Sequence, residues 1–145
     1  MKILITGANG YLGARLCQFL SNQGHDIIAA CKAPVPFTAG LTDKIKKIII
    51  GDLILDKIIN KLAETKPNII IHLVSLNKRD SEKSIDNALN INVRITWKLL
   101  EKFSNLELKK FIYMSTIHVG DHITSSSKSD HIYKPGSIYA LTHLM

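Results

Sequence analysis

The residues with the clearest chemical content lie near the start of the chain, in Thr6-Gly7-Ala8-Asn9-Gly10-Tyr11-Leu12-Gly13. Glycines at 7, 10 and 13 follow a short apolar run, Ile3-Leu4-Ile5, and lead into a segment of helical periodicity. A glycine-rich turn between a strand and a helix binds phosphate with its main chain. Gly7 permits the tight turn, Gly10 lets the backbone approach a pyrophosphate, and Gly13 lets the helix pack against the strand. The first N–H groups of the helix and its positive end then face the anion. Asn9, Tyr11 and Leu12 complete the turn, so the whole segment is a candidate dinucleotide cradle.

Two further positions bear on which dinucleotide is held. A carboxylate at the end of the second strand would hold an adenosine ribose 2′-OH, whereas a cation suits a 2′-phosphate. Here that strand ends in Cys31-Lys32, and Lys32 favours NADP(H) over NAD(H). After the third strand, Gly51-Asp52-Leu53 places Asp52 to accept from the adenine amino group, or to cap the helix that follows. No metal site is expected. His118 and His122 have helical spacing, but Gly120 between them argues for a loop, and His131 lies in the same stretch. His72 reads as a satisfied residue at a strand end, and Trp97 and Phe103 read as packing.

The elements that must position these residues alternate regularly. Residues 2–6, 26–31, 46–50, 68–74 and 110–115 are short apolar runs bounded by Gly, Pro, Lys or Asn, the pattern of strands buried on both faces. Between them, residues 11–23, 53–65 and 82–104 have helical spacing. Gly24 stops the first helix, and Lys66-Pro67 stops the second. Leu12, Leu16, Phe19 and Leu20 are expected inward on the first helix; Ile85, Leu89, Val93, Leu100 and Phe103 are expected inward on the long one. Residues 34–42 and 116–135, the latter with Ser125-Ser126-Ser127, read as loops, and residues 137–145 as the start of a helix. Alternating strands and helices imply an α/β fold, a doubly wound parallel sheet of about five strands in the order 3-2-1-4-5.

Composition narrows the class. The chain has 145 residues, 46% hydrophobic and 21% charged, which excludes a disordered or collagen-like polymer. Nineteen Lys and Arg against twelve Asp and Glu give +7. The cations are scattered rather than grouped on one helix with aromatics between them, so they suit a small anionic ligand and not nucleic acid. No run approaches the ~18 apolar residues of a membrane span. Cys17 and Cys31 form no metal or redox motif, and reduced thiols fit a cytoplasmic protein.

With these motifs in order, the chain resembles the extended short-chain dehydrogenase/reductase family, the NAD-dependent epimerases and dehydratases of nucleotide sugars. The glycine turn has that family's form. Ile70-Ile71-His72-Leu73-Val74-Ser75 resembles its fourth-strand end, which passes beside the cofactor and makes Leu73 and Val74 cofactor-binding candidates. Asn92-Val93-Arg94-Ile95-Thr96 resembles its asparagine segment and adds Asn92. Phe111-Ile112-Tyr113-Met114-Ser115-Thr116 resembles the strand that leads to the catalytic Ser/Thr, and Pro135-Gly136-Ser137-Ile138-Tyr139 the approach to the catalytic tyrosine.

The resemblance implies that Tyr139 is the base for a sugar hydroxyl while hydride passes to or from nicotinamide, with Thr116 on the same substrate oxygen. A phenol's ordinary pKa of about 10 must fall for that role. In the family a lysine four residues after the tyrosine lowers it; here His143 stands in that place, with no fixed positive charge at neutral pH. Gly120 likewise stands where the family has an aromatic residue. The family continues into further strands and a C-terminal lobe that reads the sugar nucleotide. Residues 1–145 are therefore expected to form an incomplete NAD(P)-binding Rossmann domain, truncated within the tyrosine helix. The fifth strand is expected to be an uncovered apolar edge, and a homo-oligomer is one way of covering it. Three readings follow: the dinucleotide-binding half of a nucleotide-sugar epimerase, dehydratase or reductase of polysaccharide biosynthesis; a non-catalytic dinucleotide-binding module; and an inactive fragment.

Overall fold

Ile, branched at Cβ, favours extended backbone, and near-continuous apolar runs suit strands covered on both faces. In the computed structural model, which describes residues 1–33, 45–120 and 133–145, they form one parallel sheet. Its strands are β1 (Lys2–Thr6), β2 (Asp26–Cys31), β3 (Lys47–Ile50), β4 (Ile69–His72) and β5 (Lys110–Tyr113), in the order β3-β2-β1-β4-β5. That is the expected order. Register follows the apolar pattern: Leu4 lies opposite Ile28 on one side and Ile70 on the other. The expected loop at 34–42, and residues 121–132 of the one expected at 116–135 with His122, His131 and the serine run, lie outside the described residues.

The chain divides into two units. The first, Met1–Val74 with Ile95–Met114, contains the whole sheet and the helices α1 (Tyr11–Asn22), α2 (Asp56–Ala63) and α5 (Ile95–Ser104). Odd-numbered residues of the strands (Ile3, Ile5, Ile27, Ala29, Ile71) share one core with Ala8, Cys17, Leu16 and Leu20. Leu4, Ile28 and Ile70 point to the opposite face, as a period of two requires, and are also buried. Gly24 ends α1 with a φ of +78°, and the Gly24 and His25 amides close back on Ser21 and Leu20. Burial pushes the Cys17 thiol up to about 12, with the neighbouring Cys31 adding to the effect, so both free thiols are inert core residues.

Three expectations about the helices are corrected. The inward stripe of α1 is Gly13, Leu16, Cys17 and Leu20, while Leu12 and Phe19 are exposed. The second helix begins at Asp56, not at 53, because Asp52 folds residues 52–55 into a turn first: its carboxylate accepts the Ile54 N–H and its carbonyl accepts that of Leu55. The long helix expected over 82–104 is broken. Residues Lys78–Lys83 form α3, Ser84 is extended, Ile85–Ala88 form α4, and Leu89–Arg94 are a π-helical turn before α5. The buried stripe is Ala88, Asn92, Ile95, Leu99 and Phe103. Ile85, Leu89 and Leu100 therefore face outward, and Trp97 is 66% exposed rather than packed.

The second unit, Ser75–Arg94 with Ser115–Met145, contains α3, α4, the π turn, a short 3₁₀ turn (Ile117–Val119) and α6 (Ile138–Leu144). An isolated antiparallel bridge, Gly120 to Tyr133, with Lys134 N–H on Val119 O, leads the chain into α6. No helix among the described residues is long and apolar enough to cross a membrane. At the sheet's margin β5 leaves Ile112 exposed, in contrast to the covered strands β1, β2 and β4.

Candidate functional site

The glycine turn is built as its spacing requires. Gly7 has a φ of +67°, where a side chain is strained, and a Cβ there would lie 3.2 Å from the Leu73 carbonyl carbon at the end of β4. The Gly10 amide donates to Gly7 O (2.9 Å) and closes the turn. A Cβ on Gly13 would fall 2.8 Å from Ala8 Cα, so α1 packs at backbone contact on the turn that follows β1. Gly10 is the N-cap of α1, and no described side chain caps that helix or places an acid in its first turn. The first amides of a twelve-residue helix are thus left to an outside acceptor. This is a fit for a pyrophosphate, which takes main-chain donors and a positive helix end.

The flanks of the turn are anchored from β2 and β4. Ala8 N–H donates to Ala30 O, and the Asn9 side-chain amide reaches Ala33 O at 3.4 Å. Leu73 and Val74 are half-buried against Gly7. His72 is fully buried. Its Nδ1 pairs with Thr6 Oγ1 (2.6 Å) and its Nε2 with Thr96 Oγ1 (3.1 Å), while its ring stacks on Tyr113 at 6.0 Å. The expectation of a satisfied strand-end histidine holds. Because Thr6 also accepts the Leu73 N–H (3.3 Å), its hydroxyl connects the residue before Gly7 to the end of β4.

The adenosine end is less simple than its residue types suggest. Lys32 Nζ sits 2.9 Å from Asp52 Oδ2, so the two candidates are paired with one another. The Ile54 N–H, and after it Lys32, holds the Asp52 carboxyl below its ordinary range against an opposing desolvation. Leu53 is buried beside them. Tyr11 and Leu12 are exposed, and Arg15, which the spacing did not single out, lies with its guanidinium carbon 3.7 Å from the Tyr11 ring centroid. The i, i+4 relation of Tyr11 and Arg15 is the signal that would have found it.

The second unit gathers the other candidates. Tyr139 stands in the first turn of α6, whose N-terminus is capped twice: Ser137 Oγ accepts the Ala140 N–H, and the Glu82 carboxylate accepts the N–H groups of Ile138 (2.8 Å) and Tyr139 (3.4 Å). His143, one turn on, places its ring 4.5 Å from that of Tyr139 at 65°. His118 lies on Tyr139 edge-on, at 6.2 Å. Thr116 is the N-cap of the 3₁₀ turn, and its Oγ1 accepts the His118 N–H at 3.3 Å. His143 is 6% exposed, and its Nε2 is 2.8 Å from Ser75 Oγ. Asn92, 1% exposed, accepts the Leu76 N–H on Oδ1 (2.8 Å) and donates from Nδ2 to Thr142 Oγ1 (2.9 Å). Ser75 and Glu82 were not foreseen. Among the described residues no group of three His, Cys, Asp or Glu side chains could hold a metal.

A model of the NAD dependent epimerase/dehydratase family matches residues 3–145. The chain belongs to that family. Among curated relatives, Protein CapI of Staphylococcus aureus is 28% identical over 98% of this chain and 46% of its own length. Among solved structures, Pal from Bacillus thuringiensis superposes with a TM-score of 0.90 at 26% identity, over 99% of this chain and 49% of that one. The UDP-glucuronic acid 4-epimerase of Bacillus cereus, solved with UDP-glucuronic acid and NAD, is 30% identical with a TM-score of 0.79, over 99% of this chain and 49% of that one. The chain spans about half the length of these family members.

Proposed function

We propose that residues 1–145 form the dinucleotide-binding domain of a nucleotide-sugar epimerase, dehydratase or reductase. The observation that carries this reading is the turn from Gly7 to Gly13, with its contact-distance packing and uncapped helix amides. The B. cereus relative with NAD and a UDP-sugar supports it.

In this reading the amides of Tyr11, Leu12 and Gly13 hold the pyrophosphate, Gly10 lets the backbone approach it while its own amide closes the turn, and Asn9 shapes that turn; Leu73, Val74 and Leu53 flank the dinucleotide. A bound nicotinamide supplies a hydride acceptor or donor. Tyr139 takes or returns the proton of the sugar hydroxyl, Thr116 hydrogen-bonds the same oxygen, and His143 stands beside the phenol. Asn92 acts through its hydrogen bonds around α6 and not by touching the dinucleotide. Lys32 favours NADP(H). Its pair with Asp52 is exposed on the lysine side, and such pairs are worth about 0–1 kcal/mol, so a 2′-phosphate draws Lys32 away at little cost.

Calorimetric titration of the purified chain with NADPH and NADH tests the reading. Binding of NADPH several-fold tighter than NADH, with the difference abolished by Lys32→Ala, is the expected result. No binding of either would sink it. A second reading, a dinucleotide-binding module without turnover, is favoured by His143 in place of the family's lysine. A longer chain that is silent with UDP-sugars and gains turnover on His143→Lys would select it.

A further inference from the structure

We infer that Ser75 is a positioning residue that fixes His143 as an Nε2–H donor and so sets the imidazole edge beside Tyr139. The inference rests on the proposal that Tyr139 and His143 belong to the reacting site, and it names the residue that orients the histidine standing where the family has lysine.

The hydrogen assignment can be followed from one end of the network. The Leu76 N–H can only donate, so the Asn92 atom 2.8 Å away is its oxygen, and the amide orientation is settled. Asn92 Nδ2 then donates to Thr142 Oγ1, whose own hydrogen goes to Tyr139 O at 3.0 Å. Ser75 Oγ has two carbonyl neighbours, Leu76 O at 2.8 Å and Asn92 Oδ1 at 3.3 Å, and both can only accept. Donating the single hydroxyl hydrogen of Ser75 to one of these carbonyls keeps a contact that donation to His143 gives up. Ser75 then offers His143 a lone pair at 2.8 Å, and Nε2 carries the proton. The opposite arrangement, with Ser75 donating to a bare Nε2, forfeits both carbonyl contacts.

Two features make the arrangement more than local packing. His143 is buried and its main-chain carbonyl is held by Ser115 Oγ at 3.3 Å, so both ends of the residue are fixed. An Nε2–H also remains a donor when the ring gains a second proton, as a lysine ammonium is always a donor. Ser75 thus gives the histidine one property of the residue it replaces.

The test uses the full 145-residue chain labelled with ¹⁵N, in an alkaline buffer where imidazole is neutral. Long-range ¹H–¹⁵N correlation of the histidine rings reads the tautomer directly, and His143→Gln assigns the signals. A pyrrole-type Nε2 and a pyridine-type Nδ1 are expected in the wild type and in Ser75→Thr. Ser75→Ala is expected to lose the single tautomer and show averaged nitrogens. Ser75 is exposed, so this variant should keep the wild-type amide spectrum; Ser75→Cys, whose sulfur is a weaker acceptor, is the second variant if it does not. An Nδ1–H tautomer in the wild type, or an unchanged pattern in both Ser75→Ala and Ser75→Cys, overturns the inference. Dinucleotide titration of the same samples separates the two claims. A fixed Nε2–H without dinucleotide binding overturns the functional reading alone, and binding without the fixed tautomer overturns the role of Ser75 alone.

Discussion

The two units of this chain are held together by different physics. The sheet unit rests on main-chain ladders between five parallel strands and on apolar burial on both faces. Its polar interior is small: the Thr6–His72–Thr96 chain is fully paired and lies beside the glycine turn. Among the described residues the second unit has no helix longer than seven residues, and its order depends on side chains: Asn92 with Thr142, and Glu82 and Ser137 at the start of α6. Short helices are marginal by themselves. The sheet unit spreads its stability over many equivalent contacts, whereas the tyrosine unit concentrates it in a few polar ones.

Substitutions in each unit test this difference. The largest effect is expected from Gly13→Val, which drives a branched side chain into the Ala8 backbone. Overpacking of this kind costs about 1–3 kcal/mol, and the displaced turn should lose at least about tenfold in NADPH affinity by calorimetry. Unchanged affinity would mean that the close packing of the turn does not govern binding.

Asn92→Leu comes next. It leaves the Leu76 amide and the Thr142 hydroxyl without their partner, at about 1–3 kcal/mol. Amide hydrogen exchange should quicken in α6 and the π turn while β1 and β4 keep their protection. Equal loss in both units would break the distinction drawn here. Glu82→Gln keeps the acceptor but removes the charge at the start of α6, worth about 0.3–1 kcal/mol, and should quicken exchange at Ile138 and Tyr139 only.

The smallest effect is a matter of pH in the sheet unit. Asp52 has a lowered carboxyl pKa in the folded chain, so its contribution to stability is present above the ordinary value of 3.8 and is lost as pH falls through the folded one. Urea midpoints followed into acid should therefore fall less steeply in Asp52→Asn. An identical acid limb in the variant would show that the Ile54 and Lys32 contacts do not persist in solution.

The parts legible in the residues are those decided locally. β1, the Gly7-to-Gly13 turn and α1 are contiguous, and each step follows from side-chain size and glycine placement. The strand order follows from alternating periods. The π turn at Leu89–Arg94 is not legible, because nothing in its composition requires a wider turn; nor is the exposure of Trp97, whose apolar side chain alone suggests packing. The Lys32–Asp52 pair was also hidden. Each residue was assigned a ligand contact, and their shared partner depends on β2 and β3 lying side by side.

Sequence alone therefore sufficed for the fold class, the glycine turn and the strand order, since those rest on short-range sterics and hydrophobic period. What waited for the folded chain was how polar side chains share their hydrogens. Ser75 and His143 are 68 residues apart, and Glu82 and Ile138 are 56 apart. A hydrogen bond acts only over about 3 Å. No pattern along the chain encodes a pairing that exists only once distant segments have been brought within that reach.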